Sequence, residues 1–243
     1  MERRSSGWRV ERCTASATDL LGPWPPPDGD ETRVVRAGRM NGRDALVLGS
    51  TQDRVPINES RAAKVGVDVI RRTTGGGAVL VVPDAQVWID VWVPRSDELW
   101  DDDIVAAAVW LGDAWAAALQ GLGARSLLVH RGRSTHHALS DLVCFAGIGP
   151  GEVLSGSAPS HRMKVMGLAQ RRTRRGARFH TTAPVSWDPA HLLDVLDLGE
   201  NDDVRGQLED VAIGLRVLLP SRSGVGDAEL IGAVEDAVIT ALP

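Results

Sequence analysis

Residues 71–79 read Arg71-Arg72-Thr73-Thr74-Gly75-Gly76-Gly77-Ala78-Val79. Three successive glycines let the backbone come close to a ligand and take conformations closed to other residues. Their amides can form a concave anion site, and Arg71 or Arg72 can pair with a carboxylate or phosphate. A glycine triplet is also an ordinary flexible turn; the double arginine before it favours ligand binding. The stretch is neither of the two familiar phosphate loops. No Gly-Lys-Ser/Thr follows, and the spacing is not Gly-x-Gly-x-x-Gly.

Working outward, the flanks read as strands: Ala45 to Gly49, Val67 to Arg71 and Ala78 to Val82. A short helix is expected from Asn58 or Glu59 to Val65. From Gln86 to Val93, Val87, Ile89, Val91 and Val93 alternate with Trp88, Asp90 and Trp92, a period-two strand signal. Asp101 to Asp103 should open a long helix through Leu119, where acidic groups suit the positive end of the helix dipole. Gly121 and Gly123 suit its termination. Short strands are expected at Ser126–His130, near Val143, near Val153, at Lys164–Gln170 and at Ala177–Thr182. Asp188-Pro189 opens a helix into Leu196, and two more, 204–218 and 228–242, close the chain. Strands followed by helices predict an α+β or mixed-sheet α/β domain. We divide the chain into an N-terminal segment with a Pro-rich loop (1–30), a main domain (31–198) and an acidic helical segment packed on it (199–243).

The second informative stretch is Lys164-Val-Met-Gly167-Leu-Ala169-Gln170, running on to Phe179-His180-Thr181-Thr182. Only two of the 27 basic residues are lysines, Lys64 and Lys164; all the others are arginine. A lysine is a compact point charge on a flexible stem, able to follow a reacting group where the rigid arginine fork cannot. Lys64 reads as a helix-surface residue. Beyond Lys164, the small residues Gly167 and Ala169 leave room for a bound chain alongside the strand.

Composition narrows the classes. An apolar content of 43% and a net charge of −5 describe an ordinary globular protein and argue against a dedicated nucleic-acid binder. No run approaches a membrane span, and no apolar leader follows Met1, so no membrane partner is expected. Cys13 and Cys144 lack disulfide-framework and metal-site spacing, so no metal ligands are expected. A reducing, cytoplasmic setting fits them. No acidic residue lies between Glu152 and Asp188, a stretch that carries six arginines and Lys164. Such a local basic surface in an acidic protein suits an anionic substrate or partner.

Together the two stretches resemble the lipoate–protein ligase and octanoyltransferase family, related to the biotin–protein ligases. That family shows a double arginine, a serine or threonine, three glycines and Ala-Val, then about 90 residues later Lys-x-x-Gly-x-Ala-Gln and a histidine. The resemblance runs roughly from Leu48 to the helix after Asp188. It implies a mixed, largely antiparallel sheet domain with a bifurcated pocket for an acyl tail and, in ligases, ATP. It places Lys164 at the activated acyl carbonyl. There a fixed cation favours the transition state over the ground state. Arg71, Arg72, Thr74, Gly75, Gly76, Gly77 and Ala78 would line the pocket with Gly167, Ala169, Gln170 and His180.

Val143-Cys144-Phe145, with Glu152 and Lys164 beyond, resembles the segment of the cysteine-dependent octanoyltransferases. There the cysteine carries the acyl group as a thioester, and neighbouring basic residues would raise its thiolate fraction. A buried structural cysteine is the alternative. The sequence departs from the family at Val81-Val82, where His-Asp is common, at Arg162-Met163, where Gly-Arg is common, and at Thr181, where glycine follows the histidine.

The resemblance therefore implies attachment of a lipoyl or octanoyl group to a lysine of an apo lipoyl domain or a glycine-cleavage H-type carrier protein. As a ligase it would use ATP and Mg2+ with lipoate or octanoate, through an acyl-adenylate. As a transferase it would take the chain from acyl carrier protein onto Cys144 and need no cofactor. A non-catalytic acyl- or biotin-binding member is a third reading, motivated by the missing His-Asp.

Overall fold

The computed structural model describes residues 7–22, 24, 32–53, 55–135, 139–156, 162–198 and 202–243. Apart from Trp24, the Pro-rich loop at 24–30 lies outside them. Among the described residues ten strands form two sheets: β1 (Trp8–Ala15), β2 (Arg33–Met40), β3 (Ala45–Leu48), β4 (Asp68–Arg71), β5 (Val79–Val81), β6 (Gln86–Pro94), β7 (Leu127–Val129), β8 (Val153–Ser155), β9 (Met163–Arg172) and β10 (Gly176–Pro184). The large sheet has the order β1-β2-β6-β10-β9-β8-β7, and the small one β4-β3-β5. Only β1–β2 and β3–β4 are parallel; the other neighbours are antiparallel. The expected mixed, largely antiparallel architecture is the one found.

The layers follow from side-chain alternation. On β6, Val87, Ile89, Val91 and Val93 join the main core with helices α3 (Ala106–Gly121) and α7 (Asp227–Ala241). The opposite side chains, Trp88, Asp90 and Trp92, are also buried, because the small sheet covers that face. On β3, Ala45 and Val47 face Trp88 and helix α1 (Ala17–Leu21). Leu46 and Leu48 face the other way, into a cluster with α2 (Glu59–Val65) and α4 (Ala190–Val195). The order through the molecule is thus helices, large sheet, small sheet, helices.

Several local predictions need correction. The segment at Val143 is not a strand: Val143 makes one bridge to Ala78, and Cys144–Ala146 is a 3-10 turn. The helix expected over 204–218 is broken into α5 (Asp202–Glu209) and α6 (Leu215–Leu218). Between them the backbone at 211–213 pairs with Lys164. The long helix starts at Ala106 rather than among the aspartates; Asp103 Oδ1 accepts the Val105 N–H at 2.7 Å in the turn that leads into it. Asn58 caps α2 by accepting the Arg61 N–H at 2.9 Å, and Lys64 is exposed on that helix. β1 and β2 were not anticipated. Among the described residues no helix is long and apolar enough to cross a membrane.

Candidate active site

Lys164 sits where β9 changes partners. Leu154 pairs with Lys164 but Val153 pairs with Met166, so β9 bulges between them. The Lys164 N–H donates to Val211 O at 2.8 Å, and its carbonyl accepts from Ile213 N at 3.0 Å. The backbone at this residue is thus held from both sides. The Lys164 Nζ donates to Cys144 O at 2.7 Å and pairs with Glu152 Oε2 at 2.7 Å. Phe145 presents its ring 5.5 Å from the same ammonium. Lys164 is only 2% exposed.

Glu152 is fixed as firmly. Its Oε2 accepts the Gly149 N–H at 2.6 Å and its Oε1 the Leu168 N–H at 3.1 Å. The second bond exists because β8 has left β9 beyond Met166, freeing the strand edge at Leu168. A buried carboxylate with two amides and an ammonium has the partners that burial demands.

The glycine loop closes over this lysine. Ala78 N donates to Leu142 O and Cys144 N to Ala78 O, so the loop's end is laced to the segment bearing Cys144. A Cβ on Gly77 would lie 2.5 Å from Cys144 N, a contact only glycine permits. Gly76 has φ +96°, in the left-handed region. Gly75 opens onto free space, with nothing within 4 Å of a Cβ there.

The two arginines brace the loop. Arg72, buried, donates to the carbonyls of Val47 (3.2 Å), Gly75 (2.7 Å) and Gly77 (2.9 Å). Burial draws its guanidinium pKa down, while a charge interaction with Cys144 opposes the shift. Arg71 donates to Gly49 O at 2.8 Å and Gln52 O at 3.0 Å. Neither side chain lines the cleft. Thr74 is buried beneath the loop with its hydroxyl unpartnered.

The cleft has a volume of about 270 Å³. Gly75–Gly77, Cys144, Glu152, Lys164, Ala169 and Gln170 line it, with Ile104, Ile148, Pro150 and Leu168 as its apolar wall. Cys144 is a free, half-buried thiol, and its Sγ is 3.7 Å from where a Gly167 Cβ would stand. A methyl group at 167 would therefore stand in ordinary van der Waals contact with the thiol. Gln170 anchors its amide on Ile104 O at 2.6 Å. Val143 and Phe145 turn the other way, into a second cavity of about 150 Å³ shared with Ala78, Trp187 and Leu192. The segment 143–145 thus separates two cavities and contributes to both.

His180 is not in either lining. It pairs across the strands with Ala169 and Asp90, and its Nδ1 bonds to Asp90 Oδ1. Arg36 and Arg178 also contact Asp90 Oδ2, and both donate to Leu20 O. Burial alone raises a carboxyl pKa. The contact with His180 and the guanidiniums of Arg178 and Arg36 outweigh it, and Asp90 stays well below the ordinary carboxylate range. Burial pushes the His180 imidazole down, which favours the neutral ring donating from Nδ1. Its Nε2 is buried without a partner.

Of the sequence-predicted residues, the structure brings together Lys164, Cys144, Gly75–Gly77, Gly167, Ala169 and Gln170. Arg71, Arg72 and Thr74 stand behind the loop, Ala78 faces the second cavity, and His180 lies in the buried network. Sequence reading did not assign roles to Glu152, Gln52 or Asp90. Gln52 joins the small sheet to the cysteine segment, accepting from Gly49 N at 2.8 Å and donating to Asp141 O at 2.6 Å. The available signals were an acid standing last before the acid-free run, and a lone acid between two tryptophans on β6.

A mixed large sheet, a small sheet laid over it, and a buried lysine beneath a triple-glycine loop define the lipoate–protein ligase type of catalytic domain. The chain belongs to the lipoyl protein ligase A/B catalytic domain family, which matches residues 30–223. Solved structures agree in fold. The bi-partite lipoate protein ligase of Thermoplasma acidophilum superposes with a TM-score of 0.62 at 19% identity, over 88% of this chain and 72% of that one. An ATP-bound lipoate-protein ligase A gives 0.59 at 20% identity, over 86% and 72%. The lipoate-bound LipL1 of P. falciparum gives 0.56 at 13% identity, over 96% and 62%. The comparison with curated proteins gave no match.

Proposed function

We propose that the protein attaches a lipoyl or octanoyl group to a lysine of a lipoyl carrier domain, with Lys164 as the catalytic cation. The observation that carries this reading is the Lys164 ammonium, buried and fixed at the wall of a cleft roofed by Gly75–Gly77. As the acyl carbonyl is attacked, negative charge develops on its oxygen. A preorganised ammonium stabilises that charge without reorganising at the moment of reaction. The apolar wall takes the acyl chain, and the open backbone at Gly75 gives an anionic leaving group close approach.

In the first route the carboxylate of lipoate or octanoate would attack the α-phosphate of ATP, releasing pyrophosphate and forming an acyl-adenylate; the carrier lysine amine would then attack its carbonyl, lose a proton and release AMP. Mg2+ would be held mainly by the phosphates. Among the described residues no three acidic, histidine or cysteine side chains converge to hold a metal, and Glu152 is already paired with Lys164. Lipoate- and ATP-bound relatives of the same fold support this route.

A second route is favoured by the position of Cys144, whose thiol lines the same cleft as Lys164. The Cys144 thiolate would attack the thioester of an acyl carrier protein, forming a new C–S bond and releasing the carrier's thiol. The acceptor amine would then attack that thioester, lose a proton and return the cysteine thiol.

One experiment separates these readings. Wild type and Cys144→Ala are given an apo lipoyl domain with either lipoate and ATP, or octanoyl carrier protein without ATP. Product only with ATP, retained in Cys144→Ala, selects the ligase. Product without ATP, lost in Cys144→Ala, selects the transferase. No product under either condition leaves a binding protein and overturns the proposal.

A further inference from the structure

We propose that the tip of the β9–β10 hairpin is the docking site for an acidic protein surface, that of the carrier domain presenting the acceptor lysine. The inference rests on the acyl-transfer reading above. Its basis is a separate depression, about 500 Å³ in volume, with Arg171, Arg174, Arg175 and Arg178 in its wall and no acidic side chain among the described residues that line it.

The floor of this basin is rigid. Arg178 is buried, donating to Gly22 O at 2.7 Å and Leu20 O at 2.9 Å. Its guanidinium and that of Arg36 lie 5.4 and 4.6 Å from the Trp24 ring. Two buried guanidiniums share the single carboxylate of Asp90, so the floor keeps a net positive charge. The rim adds to it. Arg171 and Arg174 are exposed, and neither has an acidic partner among the described residues. The like charges of Arg171 and Arg174 repel one another, and an acidic surface would relieve that repulsion.

Position ties the basin to the chemistry. Gly167, Ala169 and Arg171 follow one another on the same face of β9, opposite Thr182, His180 and Arg178. At roughly 3.3 Å per residue, Arg171 lies about 13 Å along the strand from Gly167. The glycine loop bridges the two depressions: Thr73 lines the basic one and Gly75 the catalytic cleft. A domain seated on the arginines would need only a lysine side chain and a short tip to reach Lys164. A protein occupant is favoured over nucleic acid because the positive patch is small and the chain carries a net charge of −5.

The test uses the full chain and an acidic apo lipoyl domain, with binding measured calorimetrically at low and physiological salt. Arg171→Glu/Arg174→Glu should weaken binding at least about tenfold and flatten its salt dependence, whereas Arg171→Lys/Arg174→Lys should stay within about threefold of wild type. Both positions are exposed, and unchanged melting temperatures confirm folding. Equal affinity of the Glu variant and wild type overturns the proposal, as does failure of wild type to bind the domain. Charge-sensitive binding of an oligonucleotide, with domain binding unaffected by the variant, also overturns it. Charge-sensitive domain binding without acyl transfer supports the docking site and sinks the catalytic reading instead.

Discussion

Lys164 Nζ and Glu152 Oε2 are 2.7 Å apart, both side chains almost wholly buried at the edge of the cleft. Glu152 keeps the ammonium in place, and the carbonyl of Cys144 completes its shell. Removing one member of such a pair leaves an uncompensated buried charge and costs about 3–5 kcal/mol. Lys164→Met should therefore lower both stability and acyl transfer, the latter by about 10²-fold or more. The double variant Lys164→Met/Glu152→Gln should recover most of the stability and none of the activity. Thermal melts beside a single-turnover acylation assay check both, and recovered activity would remove Lys164 from the chemistry.

Gly77 and Gly75 should behave oppositely although they are two residues apart. A Cβ on Gly77 would come within 2.5 Å of Cys144 N and 2.6 Å of Val143 C, both backbone atoms. Gly77→Ala must push the cysteine segment away, costing about 1–3 kcal/mol and reducing activity through the displaced Cys144 and Lys164 contacts. Gly75→Ala meets nothing within 4 Å, so its melting temperature should stay near wild type. If the loop receives the leaving group, Gly75→Ala raises KM while stability holds. A Gly77→Ala protein as stable as wild type would contradict the packing described.

Much of the fold was legible because periodicity and packing agreed. The alternation on β6 predicted a strand, and the pattern holds from Val87 to Val93. What it did not show was that Trp88, Asp90 and Trp92 are buried too. Burial of that face depends on a second sheet whose approach no local pattern encodes. The N-terminal strands were missed for a related reason: Arg9, Glu11, Arg33 and Arg36 look solvent-facing until their partners are known. Arg33 is held by Asp97 at 2.7 Å and Arg36 by Asp90, contacts across large sequence separations. The site was legible where chemistry and small size coincide, at Lys164, Gly75–Gly77, Gly167 and Ala169. It was less legible at the arginines, because a guanidinium that braces carbonyls and one that meets a ligand look identical in sequence.

Arg72 offers a way to separate those two roles. Its guanidinium spans three carbonyls, including those of Gly75 and Gly77. A lysine ammonium is a single point and cannot reproduce that fork. Buried carbonyls left without donors cost about 1–3 kcal/mol each, so Arg72→Lys should lower the melting temperature and activity together. Added glycerol or a lower assay temperature should restore activity in step with folding. If Arg72 instead served a ligand directly, activity would fall with the melting temperature unchanged.

Acid stability should report the buried Asp90–His180 pair in two stages. His180 is depressed by burial, so below its unfolded value of about 6.5 the unfolded chain binds the proton more readily. Its contribution is present above that pH and is lost as pH falls towards the folded value. Asp90 is also depressed in the folded protein. Its contribution is full above the unfolded carboxyl value of about 3.9 and declines as pH falls below that. Both terms have the same sign, so the melting temperature should drop first as pH falls below about 6.5 and again below about pH 4. His180→Gln keeps a donor that can face Asp90 but removes the titration, and should flatten the first decline while leaving the second. Asp90→Asn should lower stability at neutral pH, because Arg36 and Arg178 lose their shared carboxylate, and should also shrink the second decline. A wild-type melting curve that is flat from pH 7 to 4 would mean that the His180 imidazole is not held neutral by this network.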